Sequence, residues 1–285
     1  MKRGKKIMAW VLSGIVILIL VVGIWFKLPY SPIKSKFAEL KSSQLSKMKT
    51  TMGIFEATDI SRLPLPVQKY FKYCGYIGTP KMTNMKAYYK EVDFIQAGKK
   101  LKMEYTHYNF VEKPERLALI NTSMFGIPFE GIDAYQNGIG SMKGVIAKAI
   151  TLFNEKGAAM NKASLADCLA EGLLMPNLVL QDYVKWEPID DNHARATISY
   201  YGISASGIFV FDDEGAMTSF TTEDREYNDG NGKKQKAKWS AVCGDYKAVN
   251  GIKYPTTLKG VWHLETGDLV YFDSKNMVVE YNVTE

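Results

Sequence analysis

Ile7 to Phe26 (IMAWVLSGIVILILVVGIWF) is an apolar run without a single charge, and Lys2, Arg3, Lys5 and Lys6 stand just before it. At the rise of an α-helix such a run reaches about 30 Å, the thickness of a bilayer's hydrocarbon core. Trp10 and Trp25 fall near its two ends, where amphipathic rings favour the interface. The chain must therefore keep this segment in a membrane or lose it. Cleavage is disfavoured, because the run exceeds the roughly 7 to 15 apolar residues of a secretory signal core. The following Lys27-Leu28-Pro29-Tyr30 also lacks a small-x-small site, and no cysteine near its end allows a lipoprotein signal. Residues 1–27 are thus expected to be an uncleaved single-pass anchor. Lys27, Lys34, Lys36 and Lys41 follow the run, but the basic residues before it are packed beside the α-amine. That density predicts an N-inside orientation in the cell membrane with an extracytoplasmic C-terminal part.

The formal charge of +6 comes from the anchor. Of 36 basic residues, five lie in the first 27, where there is no acid, so 31 remain against 30 acidic residues. A near-neutral body argues against a nucleic-acid binder. Cys74, Cys168 and Cys243 are odd in number and widely spaced, which encodes neither a disulfide framework nor a CxxC metal site. Buried thiols are expected, with one bridge and one free thiol as the alternative in an exported domain.

After the anchor, Ile33, Phe37, Leu40, Met48 and Met52 recur at mostly helical spacing, which predicts a helical stalk or linker over 28–58. Pro64 and Pro66 then open a short amphipathic helix with Val67, Tyr70, Phe71 and Cys74 on one side and Gly75 at its end. From about Lys86 the period changes to 2. Strands are expected at 88–95, 101–109, 116–123 and 131–136, then helices at 142–154 and 165–175, the second capped by Ser164 and stopped by Pro176. Turn sequences such as Asp212-Asp213-Glu214-Gly215 and Asn250-Gly251 divide the remainder. They leave strands at 184–189, 194–201, 203–211, 217–227, 236–248, 252–264 and 269–281. The expected fold is α+β: a large, curved, half-barrel-like antiparallel sheet of about eleven strands with helices in its concavity, in a single domain over 59–285.

The segments beginning LPLPVQKYF at Leu63, GIDAYQNGIGSM at Gly131, LAEGLLMP at Leu169, WEPIDD at Trp186 and ARAT at Ala194 resemble a family of bacterial proteins classed only as a domain of unknown function. The resemblance covers most of the chain after the stalk and implies no activity, cofactor or catalytic residue. Separately, the expected architecture is similar to the half-barrel of periplasmic lipoprotein carriers and related lipid-binding envelope proteins, an analogy of fold rather than function.

Catalytic motifs are missing. Gly202-Ile203-Ser204-Ala205-Ser206 fails the last position of G-x-S-x-G, and the two S-x-x-K matches, at Ser31 and Ser46, lie in the stalk. The Asn228 to Gly232 run would place Tyr227 and Lys238 at calcium-ligand positions, which neither can fill. Asp190-Asp191-Asn192-His193 reads as a polar hairpin turn, and the three histidines are too scattered to define a metal site. No metal or cofactor is expected. The candidate ligand-binding residues are Tyr135, Glu171, Arg195 and Arg225. Glu171 lies on a helix expected at the centre, away from its apolar side and alongside Asp167. Arg195 and Arg225 alternate onto strand faces, where they would pair with Glu171 or with the acidic head of a ligand. Tyr135 is a core or rim aromatic beside them.

Three functions fit this pattern: an anchored binding module for a lipid or other apolar ligand, an envelope interaction protein with a filled core, or, least favoured, a hydrolase or transferase built on acidic residues near Glu171. The first predicts that the body from Asp59 onward is soluble and copurifies with apolar molecules.

Overall fold

The computed structural model describes residues 2–48, 53–96, 98–229, 232 and 234–284. Three helices come first: α1 (Lys2–Lys27), α2 (Pro32–Leu45) and α3 (Leu65–Cys74). A meander follows, made of β1 (Asn84–Gln96), β2 (Lys99–Phe110), β3 (Glu115–Met124), β4 (Ile127–Gln136), β5 (Ile139–Ile146) and β6 (Ile150–Lys156). Next are α4 (Ala158–Ala170), a 3-10 turn (Gly172–Leu174) and α5 (Pro176–Val179). The chain then returns to strands: β7 (Val184–Pro188), β8 (His193–Tyr200), β9 (Ile203–Phe211), β10 (Met217–Thr222), β11 (Glu226–Asn228), β12 (Lys234–Lys236), β13 (Lys238–Val249), β14 (Ile252–Leu264), β15 (Gly267–Lys275) and β16 (Val278–Tyr281).

Fourteen strands form one antiparallel sheet in the order β6-β5-β4-β3-β2-β1-β15-β14-β13-β10-β9-β8-β7, with β16 also pairing with β1. The first meander and the C-terminal strands meet where β1 pairs with β15, Phe94 opposite Phe272. The α+β class and the large antiparallel sheet with helices are as the pattern predicts. The strand count is higher because Met142 to Asn154 is not a helix but the β5–β6 hairpin. Met142, Val145, Ile146 and Phe153 fit a helical period only because a bulge between Gly144 and Val145 breaks the alternation. Ala147 and Lys148, both at positive φ, make the turn. The span 217–227 divides at residues 223–225, and the span 269–281 divides at Asn276, which has φ 57°.

The central helix also begins earlier than expected. Gly157 stands at its N-cap, so Ser164 lies inside α4 and is buried, while Pro176 opens α5 instead of closing a long helix. These helical turns fill the concavity: Leu165, Leu169, Leu173 and Leu178 are wholly buried. α3 closes the same core with Val67, Tyr70, Phe71 and Cys74, and Gly75 ends it in the left-handed conformation at φ 76°.

The segment after α1 is helical as α2, capped by Ser31 Oγ, which accepts from Lys34 N at 3.0 Å. It lies along the outer face of the sheet. Ile33 and Phe37 pack there on Tyr108, Phe110, Leu117, Ile132, Ala134 and Val145, and Lys34 reaches the buried Glu130 at 3.3 Å. Met52, expected to share this helix, lies outside the described residues. α1 is long and apolar enough to cross a bilayer, and none of its apolar window is covered by the rest of the chain.

Candidate functional site

Alternation along β2, β3 and β4 sends Tyr105, His107, Asn109, Arg116, Asp133 and Tyr135 to the inner face, and the register places Asn109 opposite Arg116 and Arg116 opposite Tyr135. Asp167 and Glu171 are four residues apart at the end of α4, so both look toward this patch.

Glu171 is the hub. Its Oε1 meets His107 Nδ1 at 2.8 Å, and its Oε2 accepts from Asn109 Nδ2 and Arg116 Nε, each at 2.8 Å. Arg116 donates through Nη1 to Asp133 at 2.7 Å and through Nη2 to the Tyr105 hydroxyl. Arg225 pairs with Asp167, and its guanidinium carbon lies 4.2 Å from the centre of the Trp239 ring and 5.5 Å from that of Trp262. Glu171 remains 13% exposed, Asp133 and Asp167 15%, and Arg116 4%.

Charge pairing sets the titration. Burial alone would raise the Glu171 carboxyl, but the charge of Arg116 and the contact with His107 hold it far below the usual carboxylate range. For Asp167 burial prevails over the pull of Arg225 and Arg116, and its carboxyl is pushed up to about 6. Burial opposes the charge of Arg116, but Glu171, Tyr105 and Asp133 raise its pKa well above the ordinary value. With Glu171 accepting at Nδ1, His107 is left with a buried Nε2 that has no partner among the described residues, as has Arg225 Nε.

The structure thus brings Glu171 and Arg225 into one cluster, joined through Asp167 rather than directly. Tyr135 borders it: wholly buried, its ring meets Tyr201, and its hydroxyl has no partner among the described residues. Arg195 lies elsewhere, exposed on the outer face of β8 between Glu187 and Ile208. Arg225 is not on a strand; it directly precedes β11. Sequence reasoning missed Arg116, Asp133 and His107 as site members, and Asp167 as the partner of Arg225. The available signal was the period of 2 that puts Tyr105, His107 and Asn109 on one face.

The β11–β12 hairpin stands off the main sheet above this cluster. Tyr227 packs on Trp262, and Lys234 binds Glu155 of β6 at 2.8 Å, so the hairpin reaches toward the far edge strand. Beneath it a cleft of about 100 Å³ opens beside Arg225, lined by Ala159, Lys162, Asp224 and Lys236. A second depression, about 340 Å³, is polar and lies between β13, β14 and β15 at Asp245, Thr256 and Lys275. The three cysteines are free thiols, Cys74 and Cys168 buried and Cys243 half-buried. Among the described residues no group of three or more His, Cys, Asp or Glu is placed to hold a metal ion.

A family model described as a family of unknown function, DUF6544, matches residues 53–274. The chain belongs to this family. No curated protein sequence matches it. Among solved structures it is similar to a domain assigned as an outer membrane lipoprotein-sorting protein from Vibrio parahaemolyticus, at 11% identity and TM-score 0.40, over 71% of this chain and 87% of that one. It is similar also to a LolA superfamily protein from Nitrosomonas europaea, at 9% identity and TM-score 0.38, over 74% and 92% of the two chains. A DUF1329 family protein from Desulfovibrio piger shares 10% identity over 90% and 95%, with TM-score 0.34. At these identities and scores no activity passes from those proteins to this family member.

Proposed function

We propose that the chain is a membrane-anchored extracytoplasmic module that binds an amphiphile, with 1–27 as anchor and the sheet and its helices, α2 included, as the binding domain. The observation that carries this reading is a polarity gradient along the inner face of β2 to β5. It begins at the charged cluster, passes Ile120 and Gly131, and continues through Met103 and Phe129 to Met124 and Ile146. A headgroup would meet Arg225 and Asp167, and the acyl part would follow the apolar strip once the Phe129 and Phe153 rings turn aside. Lipid is the ligand most available to a domain held at a membrane.

A second reading is supported by a specific observation: α4, the 3-10 turn and α5 fill the concavity with wholly buried leucines. On that reading the domain is an interaction protein whose half-barrel encloses only its own side chains.

Native mass spectrometry of the chain from Ser31 onward, with organic extraction, separates the two. Bound lipid, and binding of a fluorescent fatty acid that Arg225→Ala weakens, supports the first; a bare mass with no probe binding leaves the second. Orientation is tested with an epitope after Glu285, which protease should remove from intact cells. Protection in intact cells with digestion after permeabilisation would reverse it.

A further inference from the structure

The end of α1 is fastened to the half-barrel. Lys148, at the tip of the β5–β6 turn, donates from Nζ to the main-chain oxygens of Leu28 at 2.5 Å, Trp25 at 3.1 Å and Tyr30 at 3.3 Å. Trp25 Nε1 donates in return to the oxygen of Ala147 at 3.2 Å. Trp25 lies in the last turn of α1, whose final carbonyls lack partners within the helix and carry partial negative charge, and Leu28 and Tyr30 follow its end, so the ammonium compensates the helix terminus and fixes the residues after it. Lys148 is 4% exposed, and the turn that presents it holds it at φ 61°. The β5–β6 tip is therefore held level with Trp25, the ring that marks one interfacial end of the apolar run.

Strand alternation brings the β3–β4 turn to the same end of the sheet. Ala147 N bonds the oxygen of Pro128 at 2.8 Å, and the chain continues from there to the turn at Phe125 and Gly126. Three residues of strand carry it roughly 10 Å past the level of Ala147. Phe125 is 90% exposed, and on the edge strand β6, which β5 separates from β4, Ile150 is 60% and Leu152 50% exposed. Large apolar side chains gathered at one end of a sheet mark a surface that meets something apolar.

We propose that Phe125, Ile150 and Leu152 form a rim seated in the interfacial layer of the bilayer that α1 crosses, so that the domain rides on the membrane instead of swinging from a tether. This rests on the anchored reading given above. The partner is that bilayer because the rim adjoins the contact that fixes the end of α1, and amphipathic elements seat apolar side chains about 5–10 Å deep in such a layer. The apolar end of the inner face, at Met124 and Ile146, then opens toward acyl chains.

The test uses the full chain with Cys243→Ser, carrying Phe125→Cys, Ile150→Cys or, at the opposite end of the sheet, Val249→Cys. Each is labelled with an environment-sensitive fluorophore and reconstituted in phosphatidylethanolamine and phosphatidylglycerol vesicles holding an acyl-chain quencher. Emission at 125 and 150 should shift to the blue and be quenched severalfold more than at 249. Equal quenching at all three positions, in protein that stays with the vesicles through alkaline flotation, overturns the rim and leaves the anchor standing. Protein released by flotation overturns both. A blue shift that grows with protein density and ignores the quencher assigns the rim to a second copy of the chain, against the proposal.

Discussion

Arg116 holds Glu171 through Nε at 2.8 Å while its Nη1 holds Asp133 at 2.7 Å, so one buried guanidinium joins the end of α4 to two strands of the sheet. Removing that cation leaves two carboxylates facing each other with little water. Arg116→Met is expected to lower stability by about 3–5 kcal/mol, the usual cost of breaking a buried pair. Glu171→Gln, which keeps the shape and one acceptor, should cost less. Urea unfolding of the two variants checks the order, and a Gln variant that is the weaker of the two would show that Arg116 is not the organising group.

Asp167 and Glu171 lie one helical turn apart and titrate in opposite directions. The Asp167 carboxyl, pushed up to about 6, keeps its proton in the folded chain at pH values where the unfolded chain has released it. Its contribution to stability therefore grows as pH falls from about 7 to 4. Glu171 is held charged, so its contribution is present above the ordinary carboxylate range and is lost below it. The stability difference between the native chain and Asp167→Asn should increase toward pH 4 by no more than about 3 kcal/mol. Thermal unfolding in steps from pH 7 to pH 4 measures this; a constant difference would mean that Asp167 is not shifted.

The alternation that announces strands was legible where one face is buried and the other less so, as in β9, whose predicted limits match the structure; β14 also has the predicted limits, but its turns set them, since its burial does not alternate. It failed at β5 and β6, where a bulge and an edge position remove the contrast between faces. The charged cluster was half legible. Glu171 stood out as a charge on a central helix and Arg225 as a charge expected on a strand face, but Arg116 looks in sequence like any strand arginine. Only the register that sets it beside Asn109, and the helix laid across the sheet, make it a buried ion. Arg195 has the same local pattern and lands on the outer face, because one step of alternation decides the side.

Gly207 and Gly144 both lie under aromatic rings, and their neighbours differ in freedom to move. A Cβ on Gly207 would stand 2.2 Å from the Phe220 ring and 2.7 Å from the main-chain oxygen of Thr221, whereas the nearest atoms to one on Gly144 belong to the Phe153 and Phe129 rings, at 2.5 Å and 2.9 Å. The nearer of these rings, Phe153, is on the edge strand β6 and can swing away; backbone in the middle of a sheet cannot. Gly207→Ala should cost at least the roughly 1–3 kcal/mol of an overpacked core, and Gly144→Ala less. Chemical denaturation of both variants decides the order. If Gly144→Ala also weakens fatty-acid binding, the two rings gate the apolar strip.

The position at which the chain is shortened tests whether α2 belongs to the folded domain. Ile33 is 4% and Phe37 7% exposed, and they cover Tyr108, Phe110, Leu117 and Val145 on the outer face. Burying one such side chain is worth about 1.5–3 kcal/mol, so the two together contribute on the order of 3–6 kcal/mol. A chain starting at Asp59 also loses Phe55, which is wholly buried against Phe71 and Tyr76. It would show water an apolar strip on β2 to β5 and leave the buried Glu130 without Lys34. The chain from Ser31 retains these contacts together with the Ser31 cap. It should be monomeric in size-exclusion chromatography and melt well above the chain from Asp59, which should associate through the bared face. Equal melting and equal monomer content would show that α2 is a spacer resting on the sheet, and the stalk expected from the sequence would then be the better description.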